Sequence, residues 1–383
     1  MRRITDLISG PDLTLSEEAL SSGPRLKRKN VFLPHAGPNM FDEERQRESL
    51  TQCGDPLVEL DAMINWSIFR PLLLTLYKKD EKQKSLGRKP VEPLLMFKIL
   101  ILQRLYNLAD DPMEFAIRDR ASFQRFLGIY AGDGSPDSKT IWLFRERLSE
   151  NDTARKLFDL FDATLLERGF VARAGQMIDA SFVEAPRQHN TREENEKIKA
   201  GETPEWPAHK AAQKDLDGTY AKKNEETHYG YKNTVNADAE AKIIRAYEVT
   251  TASPHDSQMF HAVLLPYREL NLVFADSAYR SAEIETLLSD LKFESHIHER
   301  AYRNTPLTEE QKARNTKKSE TRARIEHVFG NMFTRKYRGA HILCIGLARA
   351  KTVIGLENLL YNLRRFISLA AGRAVLLSSF KPT

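Results

Sequence analysis

The chain has 383 residues, 41% hydrophobic and 29% charged, with 58 Lys and Arg against 53 Asp and Glu for a net charge of +5. That length suits two domains or one elaborated one, and the mildly basic balance permits a polyanionic partner without demanding one. Two cysteines, Cys53 and Cys344, exclude a disulfide framework or a cysteine-based zinc motif and fit a reducing cytoplasm; no secretory signal and no membrane span are read, since the longest apolar run, LLMFKILIL, is short and broken by Lys98.

Residues 1–40 are rich in Pro, Gly, Ser and charge and are expected to form a flexible basic arm. Helical periodicity then takes over. FDEERQRESL, DPLVELDAMINWSIFRPLLLTLYKKD, EPLLMFKILILQRLYNL, MEFAIRDRASFQRFLGI and SKTIWLFRERLSE place apolar residues three and four apart. Asp137 with Ser138, and Asp152 with Thr153, are N-cap candidates. Residues 41–168 therefore read as an all-helical domain.

The texture changes near Ala174. AGQMIDASFVEA, THYGYKNTVNAD, AKIIRAYEVTTAS, NLVFADSAYRS and FESHIHER are apolar, aromatic or β-branched runs of strand length. DSQMFHAVLLPYREL and SAEIETLLSDLK read as helices between them. ERAYRNTPLTEEQKARNTKKSE reads as a charged connection, followed by the helices RARIEHVFGNMFTRKYRG and KTVIGLENLLYNLRRFISLAAG. Residues 169–372 thus form an α/β domain with a mixed sheet and flanking helices, and 373–383 a tail. Residues 187–227 interrupt it as a highly charged insertion loop, expected to be partly disordered without a partner, with Trp206 between two prolines.

Two strand candidates end on an acid: Asp179 in QMIDAS and Asp276 in LVFADSAY. Aspartate is unfavourable inside a strand, and α/β sheets bind ligands at the carboxyl ends of their strands. A helix N-cap or Asx-turn is the plainer explanation for either one alone. A third acid, Glu326, sits in a helix with Arg322, Arg324, Arg335, Lys336 and Arg338. Ile325, Val328, Phe329 and Met332 form that helix's core stripe, with Glu326 beside it and one turn from Arg322. An exposed salt bridge is worth only about 0.2–0.5 kcal/mol and does not explain five cations around one acid. Hard divalent ions take carboxylate ligands, and two ions about 3.5–4 Å apart activate an attacking oxygen and stabilise a leaving one in phosphodiester chemistry.

These blocks resemble the DDE-class insertion-sequence transposases, most closely the InsH-like group. The resemblance runs from about residue 45 to 370. It rests on GRKPVEPLLMFKILILQRLYNLADDPMEFAIRDRASFQRFLG, SPDSKTIWLFRERL, IDASFVEAP, HYGYKNTVNAD, VTTASPHDSQ, FADSAYRS and RARIEHVFGN. It implies a ribonuclease-H-like catalytic domain in which Asp179, Asp276 and Glu326 are catalytic and hold two Mg²⁺ ions per active site, with Mn²⁺ able to substitute. It implies double-stranded DNA as partner, both the terminal inverted repeats of an insertion sequence and the target. It also implies a homodimer in the DNA complex, a DNA-binding and dimerisation role for residues 41–168, a cytoplasmic, nucleoid-associated location and no membrane. In the family's last block Arg322 fits, but Ser319 stands where a Tyr is usual and Phe333 where a Lys is usual, with Arg335 or Lys336 as stand-ins. Lys232 matches a family lysine near the active site and is a DNA contact or a solvated strand lysine.

Arg324 joins the basic helix as a phosphate contact. Trp206 either stacks on an unpaired base or packs on its own domain. Arg118, Arg120 and Arg125 contact element-end DNA or form a solvated helix face. His228 reads as structural, Asp256 as an N-cap, and Glu184, five residues from Asp179, as facing the other side of the sheet. The function so implied is end binding, end cleavage and joining of 3′-hydroxyls to target DNA. The alternatives are a domesticated DNA-binding regulator and a same-fold nuclease without strand transfer.

Overall fold

The computed structural model describes residues 42–77, 89–130, 133–170, 175–223, 225–266, 271–301, 305–333 and 341–379. The expected arm, Arg335, Arg338, Lys336 and the last four residues of the expected tail lie outside these. Two compact units divide after Arg45; residues 42–45 are the described part of the first, and everything below concerns the second.

The helical periodicity becomes helices α1 (Asp42–Gln52), α2 (Pro56–Met63), α3 (Arg70–Leu74), α4 (Pro93–Tyr106), α5 (Asp110–Asp119), α6 (Ala121–Leu127), α7 (Ser138–Glu150) and α8 (Thr153–Glu167). Local chemistry sets their starts. Asp55 accepts from the Leu57 N–H at 2.9 Å, Glu92 from Leu95 at 2.7 Å, and Asp137 from Thr140 at 2.7 Å, as expected of a cap. Asp152 takes the cap position of α8 with φ of 49° and no side-chain cap bond, so it is a turn residue. The apolar stripes bury Phe69, Phe97, Phe123, Phe144 and Phe158, each worth about 1.5–3 kcal/mol of transfer free energy.

Beyond them come β1 (Gln176–Glu184), α9 (Arg192–Lys199), α10 (Ala208–Ala211), β2 (Thr219–Lys223), β3 (Glu226–Asp238), β4 (Ile244–Thr251), α11 (Phe260–Val263), β5 (Leu272–Ala275), α12 (Ala282–Asp290), β6 (Glu294–Ile297), α13 (Glu309–Phe333) and α14 (Leu347–Ser379). The six strands form one mixed sheet in the order β2-β3-β1-β5-β6, with β4 also on β3. β1 is antiparallel to β3 along its whole length, from Gln176 opposite Asp238 to Glu184 opposite Gly230. It is parallel to β5, which is parallel to β6. With helices on both faces, this is a ribonuclease-H-like α/β fold.

The pleat sorts the side chains. Met177 and Phe274 enter the larger core, which they share with α2–α8, α13 and α14. Ile178, Val273, Ala275 and Ile297 enter a smaller core with residues of α11 and α12. Polar pins hold α14 to the sheet: Asn358 and Asn233 exchange amide hydrogen bonds at 2.8 and 3.2 Å, and Asn362 bonds both the N–H and the C=O of Ile244.

Three expectations change. β1 does not end on Asp179 but runs on to Glu184, because β3 pairs with it throughout. The charged connection is largely helix: α13 begins at Glu309, where Thr308 and Gln311 exchange hydrogen bonds as a capping box. Its first turns are polar all round, which is why no stripe announced them. The helix read in DSQMFHAVLLPYREL is a 3₁₀ turn, Asp256–Met259, and the short α11.

The insertion is also ordered among its described residues. Thr191 and Glu194 form a capping box for α9. Glu194 then accepts from Trp206 Nε1 and Lys210 Nζ, both at 2.6 Å, and Lys210 and Lys214 flank the Trp206 ring at 5.5 Å. The hydrogen bond from Lys210, then those from the Trp206 Nε1–H and the Thr191 N–H, hold the Glu194 carboxyl at about 2. A carboxylate lowered in the folded state stabilises above its unfolded pKa, and that contribution is lost as pH falls through the folded value. Lys210→Ala should therefore raise the Glu194 pKa toward the ordinary carboxylate range in an NMR titration. In the wild type, the protection of the α9 amides relative to their intrinsic exchange rates should fall between about pH 4.5 and 2; unchanged protection would contradict the staple.

Candidate active site

Parallel pairing sets the acids side by side. Met177 pairs with Phe274, so the same register two residues on places Asp179 beside Asp276. Ala275 pairs with Ile297, and the His298 N–H donates to the Ala275 carbonyl at 3.2 Å, which places His298 on the far side of Asp276. The two-residue period turns Asp179, Asp276 and His298 toward the larger core's side of the sheet, where α13 packs.

Asp179 is 8% exposed. Its Oδ1 accepts from the Ala180 N–H at 2.8 Å, and its Oδ2 faces Arg322 Nη2 at 3.5 Å. Burial pushes its carboxyl up to about 6, with the Asp276 charge adding to the rise; the Ala180 N–H and Arg322 oppose it. Asp276 follows β5 directly and caps the Ser277–Tyr279 turn through Oδ1 and the Ala278 N–H, 2.8 Å. The cap explains one oxygen, so the plainer reading of this residue and the metal reading coexist.

α13 runs over this row. Ile325, Val328 and Met332 are buried and Phe329 packs against the same core, as the stripe predicts. Lys318 donates to the Ile297 carbonyl at 2.9 Å, Ser319 meets His298 at 3.3 Å and Arg322 reaches Asp179. Arg322 Nε is buried without a hydrogen-bond partner. Glu326 follows one turn, about 5.4 Å, further along the same face. It is exposed and makes no hydrogen bond or ion pair among the described residues. No three Asp, Glu, His or Cys side chains among the described residues stand close enough to hold one ion. The structure therefore brings Asp179 and Asp276 together and leaves Glu326 beside them. The donor set fits a hard divalent ion: carboxylate oxygens, one of them held against its charge by burial and a neighbouring acid.

The remaining predicted residues scatter. Arg324 is exposed and donates to the Ala239 carbonyl at 3.0 Å. Lys232 lies on the opposite sheet face, buried against Phe182, and bonds Asp256 at 2.7 Å and the Pro254 carbonyl at 2.6 Å. Asp256 heads a turn whose cap is His255. Glu184 bonds His228 at 3.2 Å and approaches His341 at 3.5 Å. Arg125 is engaged with Asp55, Thr51 and the Arg47 carbonyl, and Arg120 lies over Tyr106 and Phe123. Arg118 is exposed, bonded to Glu114 and Ser135. A cavity of about 750 Å³ opens near Arg104, Arg145 and Glu184, away from the acid row.

Sequence reading missed two neighbours of the acids. His298 is the second histidine of FESHIHER, and only the parallel register reveals its place beside Asp276. Lys223, in the strand missed within the insertion, is near enough to lower the Asp179 pKa slightly.

Residues 44–147 match the family described as "Transposase domain (DUF772)", and residues 173–363 match the "Transposase DDE domain". The chain belongs to the DDE-type insertion-sequence transposases; it is a DNA transposase, of a family that generally uses divalent metal ions. A cryo-EM structure of the piggyBac transposase synaptic complex with hairpin DNA is similar over 82% of this chain and 74% of that one, at 12% identity and a TM-score of 0.41. No helix among the described residues is long and apolar enough to cross a membrane.

Adjacency of the two aspartates has a direct consequence. Asp276→Asn removes a neighbouring negative charge, so the Asp179 pKa should fall below about 6 yet stay above the ordinary value, because burial is the larger cause. Carboxyl NMR titration of the metal-free protein measures it; an unchanged pKa would separate the two acids.

Proposed function

We propose that this transposase binds the terminal inverted repeats of its own element, cleaves the element ends and joins the freed 3′-hydroxyls to target DNA. The observation that carries this is the placement of Asp179 and Asp276, each two residues beyond the paired Met177 and Phe274, beneath the Arg322 face of α13. Asp179, Asp276 and Glu326 would hold Mg²⁺ or Mn²⁺, which would supply activation of the attacking oxygen and charge stabilisation at the leaving one.

The chain's own residues do the rest. Arg322, half-buried and directed at Asp179, places its positive charge where a scissile phosphate would lie. Arg324 adds a further cation on α13, and Arg335 and Lys336, outside the described residues, are phosphate contacts on the strength of the sequence alone. Asp179 must be deprotonated to act as a ligand, and Arg322 favours that state. In this reading residues 41–168 bind and pair the ends as a homodimer, with Arg118 the most available of their three predicted arginines, and residues 169–372 cleave. Lys232 and Arg125 act through their internal partners, and Trp206 through its staple to Glu194.

Glu326→Gln tests the reading with little risk to folding, since the residue is exposed. End-DNA binding should stay within about twofold, while cleavage with Mg²⁺ falls by at least about a hundredfold. Binding of the wild type should weaken steeply with salt, by roughly 0.9 log units per log unit of salt for each phosphate neutralised. Wild-type cleavage rates in Glu326→Gln would refute the assignment.

A further inference from the structure

Beside the two aspartates stands a nitrogen donor that a purely acidic site does not need. His298 follows β6 where Asp276 follows β5, in adjacent parallel register, and its backbone N–H bonds the residue before Asp276. Its side chain is half-buried under α13. There Ser319, the residue standing where the resemblance leads one to expect Tyr, meets Nε2 at 3.3 Å. Ser319 Oγ also donates its single proton to the Asn315 carbonyl at 2.9 Å. Its oxygen is then the acceptor for His298, so the imidazole proton sits on Nε2 and Nδ1 keeps its lone pair. An imidazole anchored through one N–H with the other nitrogen bare is the arrangement that metal-binding histidines use.

The nearby cations do not neutralise Asp276 directly: its described partner is the Ala278 N–H, while Arg322 turns to Asp179 and Lys318 to Ile297. Asp276 and His298, in adjacent register, thus supply one hard oxygen donor and one borderline nitrogen donor.

We infer that His298 Nδ1 is a nitrogen ligand for the divalent ion bound at Asp276, with Ser319 as the residue that orients it. This rests on the proposed metal-dependent site and adds to it a donor outside the acidic triad. Nitrogen donors favour Mn²⁺ over Mg²⁺ relative to an all-oxygen set.

The experiment uses the full chain with Mn²⁺ as probe. Electron spin-echo envelope modulation of bound Mn²⁺ should show directly coordinated ¹⁴N in the wild type, converted to the ¹⁵N pattern by ¹⁵N-histidine labelling. The nitrogen signal should vanish in His298→Ala and in His298→Gln, with Mn²⁺ affinity reduced about tenfold or more and Mg²⁺ affinity reduced less. His341→Ala, at the far end of β1, should keep the signal. Mn²⁺ that binds in an Asp179-dependent manner without a nitrogen signal would overturn the His298 assignment alone. Failure of Mn²⁺ to bind in any Asp179-dependent manner would overturn the metal site as well.

Discussion

The register of β1 is the constraint on which the site depends. The strand is zipped to β3 along all nine of its residues and to β5 at Gln176 and Met177. A slip of one residue would turn Asp179 into the smaller apolar core and Ile178 out beneath α13. The slip is resisted on both faces at once, because Met177 and Val183 fill one core while Ile178 fills the other. Parallel pairing with β5 stops just short of Asp179, so the acid gains a neighbouring carboxylate without losing access from α13. A long antiparallel partner on one edge and a short parallel one on the other thus produce a rigid acid at the mouth of the sheet.

That rigidity creates electrostatic frustration. Asp179 is buried next to Asp276, and the one cation directed at it sits at 3.5 Å rather than in a close bidentate pair. Left alone, burial and the neighbouring acid hold the Asp179 carboxyl up at about 6. A divalent ion at the proposed site would relieve this by providing the charge that the chain withholds. α13 is held at both ends of its contact: Ile325, Val328 and Met332 bury one stripe, while Lys318 and Ser319 bind the β6 edge. The helix cannot rotate to bring Glu326 closer without lifting that stripe out of the core, so in the proposed site side-chain movement or a small shift along the axis would bring Glu326 in.

Much of this was legible in the sequence. The helical first half followed from apolar spacing, and the strands from β-branched and aromatic runs, because in both cases one face of each element is buried. Asp179, Asp276 and Glu326 stood out because each breaks a local rule: two acids against apolar strands and one acid among cations. What stayed hidden was carried by partners distant in sequence. Only β3 reveals that β1 continues past Asp179. Only the β5–β6 register sets His298 beside Asp276. The order of the insertion depends on Glu194 meeting Trp206 and Lys210, contacts that no periodicity records. Lys232 shows the converse: a motif lysine that a matching block suggested for the site faces the other side of the sheet, paired with Asp256.

The central claim is that Asp179 and Asp276 form a ready half of a divalent-metal site that Glu326 completes on the DNA-bound protein. Anomalous diffraction at the manganese edge, from crystals of the full chain bound to its element-end DNA and Mn²⁺, addresses it most directly. The account predicts a peak about 2.0–2.4 Å from carboxylate oxygens of Asp179 and Asp276, with the Glu326 carboxylate drawn toward the same ions. Manganese bound elsewhere, with the two aspartates still in contact only with Ala180, Ala278 and Arg322, would contradict it.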